Sequence, residues 1–272
     1  MRFSILASGS TGNAIYVETE EVRLLIDAGF SGKQIEALMA VHGLHPSLLH
    51  AVLVTHEHID HVKGIGVLAR KYNLPIYANE GTWGNMPNSV GEIPESCRYA
   101  FETGKSFALG DLDLQSFPTS HDAGEPVGFR IVHGDSLLAI ATDLGYVSDK
   151  QSRLLAEADM LILEANHDVE MLRMGSYPWE LKRRILSDVG HLSNQACGEA
   201  LLEILPGRVR HVFLAHLSQD NNLPELARLT VEQLLQEEGV EVGREVVLHH
   251  TSPSRPLPLM EVAPPRRLRE VK

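Results

Sequence analysis

Short apolar runs alternate along the chain with segments of helical periodicity. Each run is four to six residues of mostly branched or long aliphatic side chains, and polar residues or glycine close it. Such an alternation is typical of an α/β fold. The five clearest runs predict strands over 22–27 (VRLLID), 51–55 (AVLVT), 137–142 (LLAIAT), 160–165 (MLILEA) and 211–215 (HVFLA).

Helix starts follow two of these predicted strands. Ser31 with Gln34, and Ser148 with Gln151, have the spacing of a capping box, in which a serine and a glutamine close the first helical turn. A third helix is predicted directly after His61, because Val62, Ile65, Ala69 and Tyr72 share one helical face.

The chain also repeats itself in two places. IDAGFSGKQ (26–34) is similar to TDLGYVSDKQ (142–151), and VLVTHEHIDH (52–61) is similar to VFLAHLSQDN (212–221). Matches this short could arise by chance. If they are real, they indicate two similar halves that face each other as sheet on sheet with helices outside, and functional loops gathered along one edge.

One large domain is predicted over residues 1–252, since no linker or low-complexity segment divides it. The Pro- and Arg-containing segment 253–272 is expected to be a loosely ordered tail. The first residues, MRFSILASGSTGN, contain too short an apolar run for a signal peptide, and no later run reaches membrane-spanning length. Cys97 and Cys197 form no disulfide framework or CxxC pair, so we expect buried thiols in a reducing cytoplasm, without a membrane partner.

The charge balance limits the function. The chain has 24 basic and 36 acidic residues, a net charge of −12. A broad surface for nucleic acid normally needs many Lys and Arg contacts with phosphate, so such a surface is not expected. A phosphate ester held mainly by metal ions remains compatible with this charge.

Metal-ligand chemistry is concentrated in VTHEHIDHVKG (54–64). His56 and His58 leave an extended backbone on the same face, while Asp60 and His61 can aim at a second point as the chain turns into a helix. Imidazole and carboxylate ligands suit zinc, manganese or iron, and the spacing suits two adjacent ions. A surface cluster of polar residues is the alternative. His121, Asp143 and His216 argue against it, because each follows an apolar or strand-like run and would lie at the same sheet edge.

These motifs resemble the metallo-β-lactamase superfamily, and its phosphodiesterase and glyoxalase branches more than the β-lactamases. The resemblance implies an αββα sandwich with a two-metal centre at one edge. It also implies the ligands: one metal ion is held by His56, His58 and His121, the other by Asp60, His61 and His216, and Asp143 bridges them.

Longer stretches resemble the YycJ/WalJ group of that superfamily, including LLIDAGFSGKQI, THEHIDHVKGIGVLARKYNLPIYAN and GSYPWELKRRILSDVGHLSN. The similarity extends from Phe3 to about Thr230. It implies a bacterial, metal-dependent exonuclease or phosphodiesterase that attacks a strand from its 5′ end, with DNA favoured over RNA as substrate and two zinc or manganese ions as cofactors.

The resemblance implies roles for residues around the metal ions. Asp27 would orient a ligand histidine, although it could instead cap a helix turn. His191 would stabilise the scissile phosphate or protonate the leaving oxygen, with Glu164 holding its ring, unless His191 simply starts a helix. Asp60 would also orient the attacking water. No role can be assigned to His167 and Asp168.

Substrate contacts are predicted for two segments. Ser8 and Ser10, in the loop ASGSTGN, could approach substrate or simply form a turn. Lys182, Arg183 and Arg184 could form a cationic rim for a nucleic-acid backbone, or only a solvated helix face.

The main functional hypothesis is therefore a metal-dependent phosphodiesterase acting on nucleic acid, with a 5′-to-3′ exonuclease as its specific form. A small-molecule hydrolase, such as a thioesterase or cyclic phosphodiesterase, is the alternative; the acidic balance favours it and the pair of His191 and Glu164 does not. A binding module with an inactive centre is disfavoured because every ligand position is filled. The intervals from His121 to Asp143 and from Asp143 to His216 are too short for large inserted domains. The sequence does not determine the oligomeric state.

Overall fold

The computed structural model describes residues 1–262, which form two seven-stranded sheets packed face to face. In the first sheet the strand order is β14-β1-β2-β3-β4-β5-β6, and in the second it is β13-β12-β11-β10-β9-β8-β7. The strands of the first sheet are β1 Arg2–Ala7, β2 Ala14–Glu18, β3 Arg23–Ile26, β4 Ala51–Leu53, β5 Ile76–Ala78, β6 Arg98–Ala100 and β14 Met260–Glu261. Those of the second are β7 Ser106–Leu109, β8 Leu112–Pro118, β9 Val127–His133, β10 Ser136–Ala141, β11 Met160–Glu164, β12 His211–Ala215 and β13 Val247–His250.

Helices cover the outer face of each sheet, as expected for an αββα sandwich. They are α1 Gly32–Ala40, α2 Ile59–Val62, α3 Ile65–Tyr72, α4 Glu80–Gly84, α5 Asp149–Leu155, α6 Val169–Met174, α7 Trp179–Ile185, α8 Asn194–Ile204 and α9 Pro224–Glu237. Strand β12 shows why the strands appear in the sequence as unbroken runs of apolar residues. Val212 and Leu214 pack toward α8 and α9, while Phe213 and Ala215 pack between the sheets, so both faces of the strand are buried. Within residues 1–262, no helix has the length and hydropathy needed to cross a bilayer.

The predicted strands are present as β3, β4, β10, β11 and β12, with ends within two residues of the prediction. Both capping boxes are confirmed: Ser31 begins α1 with Gln34, and Ser148 begins α5 with Gln151. Strands β3 and β4 end earlier than predicted because Asp27 and Thr55 already belong to the loops that lead to the sheet edge.

The helix predicted after His61 is divided into two. His61 lies inside α2, and α3 starts only at Ile65. The break falls at Gly64, whose amide donates to Ala28 O at 2.8 Å and where a Cβ atom would lie 2.4 Å from Phe30 O. The loop after β3 thus passes so close that only glycine fits, and the apolar periodicity continues across the break.

The two sheets repeat one pairing pattern. From β1 to β6 the successive pairs are antiparallel, antiparallel, parallel, parallel and parallel, and the same series runs from β8 to β13. Strands β3 and β10 therefore hold equivalent places, and each leads into a capped helix. The predicted repeat of 26–34 in 142–151 corresponds to this topology, because the two segments follow β3 and β10. The predicted repeat of 52–61 in 212–221 does not, because these segments contain β4 and β12, whereas the equivalent of β4 is β11.

The end of the described chain differs from the expected loose tail. Strand β14 pairs antiparallel with β1, and Leu257 N donates to Ile5 O at 3.0 Å. Val262 is 2% exposed, and its amide donates to Met1 O. Residues 257–262 thus extend the first sheet, so the prediction of a loose tail from Pro253 is wrong for this part; residues 263–272 lie outside the described residues.

Candidate metal centre

The predicted ligands converge at one edge of the sandwich, just beyond the ends of four strands. His56, His58, Asp60 and His61 follow β4, His121 follows β8, Asp143 follows β10 and His216 follows β12. Strands of both sheets end at this edge, so residues far apart in sequence become neighbours.

The first group of ligands consists of three imidazoles. His58 Nδ1 lies 3.1 Å from His56 Nε2 and 3.2 Å from His121 Nε2. One nitrogen from each ring therefore points at a common position, as required for a transition-metal site.

The second group contains Asp60, His61 and His216. Asp60 Oδ2 lies 3.5 Å from His61 Nε2 and 3.5 Å from His216 Nε2. The helix start explains how Asp60 reaches this position: α2 begins one residue earlier, and its first turn carries Asp60 and His61 over the strand ends.

Asp143 lies between the two groups. Its Oδ2 is 3.3 Å from His61 Nε2, and its Oδ1 is 3.7 Å from His121 Nε2. A carboxylate that reaches ligands of both groups can contact cations on either side of it.

Two buried atoms test whether this arrangement suits metal ions. Asp143 Oδ2 and His216 Nε2 have no hydrogen-bond partner among residues 1–262. A buried polar atom left unsatisfied costs roughly 1–3 kcal/mol, whereas a divalent cation satisfies an imidazole nitrogen and a carboxylate oxygen together. The donor set fits divalent metal ions.

The second ring nitrogen of four of these histidines is held by the protein. His61 Nδ1 donates to Asp27 Oδ2 at 2.7 Å, and His121 Nδ1 donates to Gly190 O at 3.0 Å. The corresponding partners of His216 and His56 are Glu164 Oε1 at 2.7 Å and Thr55 Oγ1 at 3.0 Å. A proton fixed on Nδ1 leaves Nε2 free as a lone-pair ligand, which is how protein partners usually orient metal-binding histidines.

Asp27 is itself held firmly. Its carboxylate accepts from the amide and from the hydroxyl of Thr55, both at 2.8 Å, and it caps no helix, since Ser31 caps α1. The geometry therefore favours the orienting role for Asp27 over the capping role. Thr55 was missed by the sequence reasoning, although it lies next to the histidine motif.

Glu164 and His191 lie beside the ligands. Glu164 is fully buried at the end of β11, and its Oε1 accepts from His191 Nδ1 at 2.8 Å as well as from His216. Its Oε2 accepts from the amides of Leu144 and Leu192. The side chain of His191 is 20% exposed, and its ring centroid is 4.9 Å from that of His121. It precedes helix α8, which begins at Asn194, so a role as helix start does not explain its position.

The buried histidines of the centre differ in the direction in which their pKa values are shifted. Burial, with help from neighbouring His61, lowers the pKa of His56 well below its ordinary value. Burial would do the same to His61, but Asp143, Asp60 and Asp27 outweigh it and raise that pKa well above 6.5. Against burial, Asp143 and the other carboxylates raise the pKa of His216 to about 10. The carboxylates thus make the edge a site for positive charge.

The structure corrects the predicted role of Ser8. Ser8 is buried, donates to Asn13 Oδ1 at 3.2 Å and accepts from the amide of His216 at 2.8 Å. It therefore positions the His216 backbone and does not face substrate. Ser10, in contrast, is exposed on the same loop.

The three residues of the basic triplet 182–184 lie in different environments. Lys182 is 8% exposed, and its ammonium group donates to Arg173 O at 2.8 Å and Gly175 O at 2.6 Å, at the end of α6. The prediction that Lys182 contacts substrate is wrong, because its charge compensates helix carbonyls. Arg184 pairs with Asp122, the neighbour of His121, and Arg183 is exposed.

Three residues of the centre have an unusual backbone. Asp27, Asp143 and His216 have φ angles of 60°, 59° and 55°, in the left-handed region that favours glycine. Each follows the end of a strand, and the turn directs its side chain toward the shared edge. No local sequence signal distinguishes these positions, because Asp and His are common in ordinary strand-end loops.

Comparison with known proteins places this geometry in a family. Residues 22–217 match the family described as Beta-lactamase superfamily domain. A Bacillus anthracis protein named Exodeoxyribonuclease YycJ is 49% identical over 262 residues, covering 96% of this chain and 99% of the relative. A Streptococcus pneumoniae protein named Exodeoxyribonuclease WalJ is 48% identical over 263 residues, covering 96% and 98%.

Among solved structures, the fold is similar to that of the metallo-beta-lactamase fold protein YhfI from Bacillus subtilis. The TM-score is 0.70 at 18% identity, and the alignment covers 94% of this chain and 98% of that protein. At this identity the likeness concerns the fold alone, and it agrees with the αββα architecture.

Proposed function

This chain belongs to the YycJ/WalJ family of the metallo-β-lactamase superfamily, and we propose that it is a metal-dependent exodeoxyribonuclease that shortens DNA strands from the 5′ end. The observation that carries the proposal is His191, paired with buried Glu164 at 2.8 Å beside a complete set of metal ligands. The names of the two near-full-length relatives support DNA as the substrate. A small-molecule hydrolase would not need this additional histidine, so the exonuclease is favoured.

The cofactors that we propose are two zinc or manganese ions. His56, His58 and His121 would hold one, Asp60, His61 and His216 the other, and Asp143 would contact both. Divalent ions in such a centre activate water and neutralise charge on the phosphate oxygens. Asp60, whose side chain is 23% exposed, is placed to accept a hydrogen bond from the attacking water and to orient it.

His191 supplies the proton for the leaving oxygen. Burial opposes its charge, but Glu164 outweighs burial and raises the pKa of His191 above its ordinary value. The protonated ring, with Nδ1–H donated to Glu164 and Nε2–H available, therefore persists to higher pH than in a free histidine. Arg183 and Ser10, both exposed, are left as candidates for contacts with the DNA backbone.

We also propose that the enzyme works in a reducing cytoplasm. Cys97 and Cys197 are both free and buried, in separate outer layers of the sandwich. A chain with two unpaired core thiols is typical of that compartment.

Metal loading should bring close to two ions per chain and release protons at neutral pH. Protons must leave because the raised pKa values of His61 and His216 keep both rings charged before metal binds. Affinity should consequently rise with pH. Elemental analysis gives the stoichiometry, and calorimetry in two buffers of different ionisation enthalpy gives the protons released. Saturation at a single ion would contradict the two-metal proposal.

DNA labelled at its 5′ end should lose the label in short products before the strand is visibly shortened. A compact domain with a net charge of −12 has little surface for gripping an internal site, and binding should weaken further with added salt. The measurement compares 5′- and 3′-labelled single strands, with a circular single strand as the control. Cuts in the circle would rule out an exonuclease, and activity confined to small diesters would favour the alternative hydrolase.

A further inference from the structure

A cavity of about 360 Å³ opens next to the metal centre, between β8 and the start of α5. Two segments that begin at proposed ligands form its wall. Thr119 and Ser120 directly precede His121, and Tyr146 follows Asp143 by three residues. The amide of Gly145 donates to Ser120 O at 2.9 Å and ties the two segments together. The cavity is thus built on the same backbone as the ligands.

The lining of this cavity differs in charge from the rest of the surface. Its described lining contains no carboxylate, and Lys150 is its one charged side chain. By contrast, a cavity at the far end of α8 and α9 is lined by four glutamates and two arginines. In a chain with a net charge of −12, an acid-free cavity beside the metal centre suits part of an anionic substrate.

One aromatic side chain of the lining is open to solvent. Tyr146 is 49% exposed and lines the cavity. Since stacking on an aromatic side chain tolerates every base, an exposed tyrosine in an acid-free cavity matches a planar heteroaromatic group.

The position of the cavity relative to His191 decides which part of the substrate it can take. Ser120 Oγ donates to Asp188 O at 2.5 Å, and the chain then continues through Gly190 to His191. The segment that leads to His191, the proposed proton donor to the leaving oxygen, is therefore tied to the wall of the cavity. In attack from the 5′ end, that oxygen belongs to the terminal nucleoside.

We propose that the cavity binds the 5′-terminal nucleoside of the DNA strand, with Tyr146 stacked on the base. Lys150 adds positive charge at the rim. The volume lies near the lower end of small-ligand pockets and suits one nucleoside. This inference rests on the proposed exonuclease function, which it extends to a base-binding subsite.

The test compares two 5′-phosphorylated single strands that differ only in whether the terminal nucleotide carries its base. For the metal-loaded wild-type enzyme, removing the base should raise KM about tenfold, in the range for loss of one stacked base. Tyr146→Ala should raise KM for the intact strand by a similar factor and should show no further loss on the abasic strand. Tyr99→Ala, an exposed tyrosine on strand β6, is the matched control and should behave as wild type.

The outcomes distinguish the subsite from the exonuclease itself. If the wild-type enzyme shortens intact and abasic strands with the same kcat/KM, the subsite is disproved and the exonuclease stands. If it hydrolyses bis(p-nitrophenyl) phosphate but shortens neither strand, the exonuclease proposal fails, and the subsite fails with it.

Discussion

Asp143→Asn is expected to weaken metal binding in both halves of the centre and to lower exonuclease turnover by about 10³-fold or more. The carboxylate lies 3.3 Å from His61, 3.7 Å from His121 and 3.2 Å from His216, so it is the residue that both ligand groups share. Metal ions contribute several kcal/mol to such reactions, and each 1.36 kcal/mol corresponds to about a factor of ten in rate.

The measurement is metal content by elemental analysis, together with turnover on 5′-labelled DNA. Asp111→Asn is the control, because Asp111 is a surface carboxylate that pairs with His133 and is remote from the ligand groups. Asparagine keeps the size of the side chain, so thermal unfolding should remain cooperative. Retention of both ions in Asp143→Asn would show that Asp143 does not bridge them.

His191→Ala should lower turnover by about 10²–10⁴-fold and leave the metal content unchanged. His191 contacts Glu164 but is not needed to complete either ligand group, and its ring is partly exposed at the opening of the centre. The variant is assayed on 5′-labelled DNA with metal content measured in the same samples. His133→Ala, which removes a surface histidine, serves as the matched control.

The pH profile distinguishes proton donation from a structural role. Since Glu164 raises the pKa of His191, the protonated ring persists to higher pH than in a free histidine, and activity should fall only on the alkaline side of that pKa. Glu164→Gln removes the negative charge, so the pKa of His191 falls and the alkaline limb moves to lower pH. Loss of metal or of folding in His191→Ala, or an alkaline limb that does not move in Glu164→Gln, would contradict the proton-donor role.

The sequence predicted the layers of the fold well because the strands are buried on both faces. In β10 and β12 every position after the first packs against a helix or the opposite sheet, which leaves an unbroken apolar run. The capping boxes at Ser31 and Ser148 were equally local signals, since each consists of contacts within one helical turn. His56, His58 and His61 were found because their spacing concentrates unusual chemistry in a few residues, and His121 and His216 because each follows an apolar or strand-like run.

What the sequence could not predict depends on distant parts of the chain. A basic triplet does not reveal that the carbonyls ending α6 lie beside Lys182 and bury its charge. The loop ASGSTGN likewise does not reveal that Ser8 will accept from the amide of His216, 208 residues away. The carbonyl of Gly190, which holds His121, is a backbone group and leaves no trace in the residue type.

The left-handed turns at Asp143 and His216 mean that stability and chemistry favour different residues at the same positions. A non-glycine residue in this region costs roughly 1–3 kcal/mol, a sizeable share of the stability of an ordinary domain. Asp27 has the same turn, but its carboxylate accepts three hydrogen bonds from Thr55 and His61, which offset that cost. Selection for thermal stability alone would therefore favour glycine at Asp143 and His216. The resulting protein would keep its sandwich and lose a shared ligand and an imidazole in two substitutions.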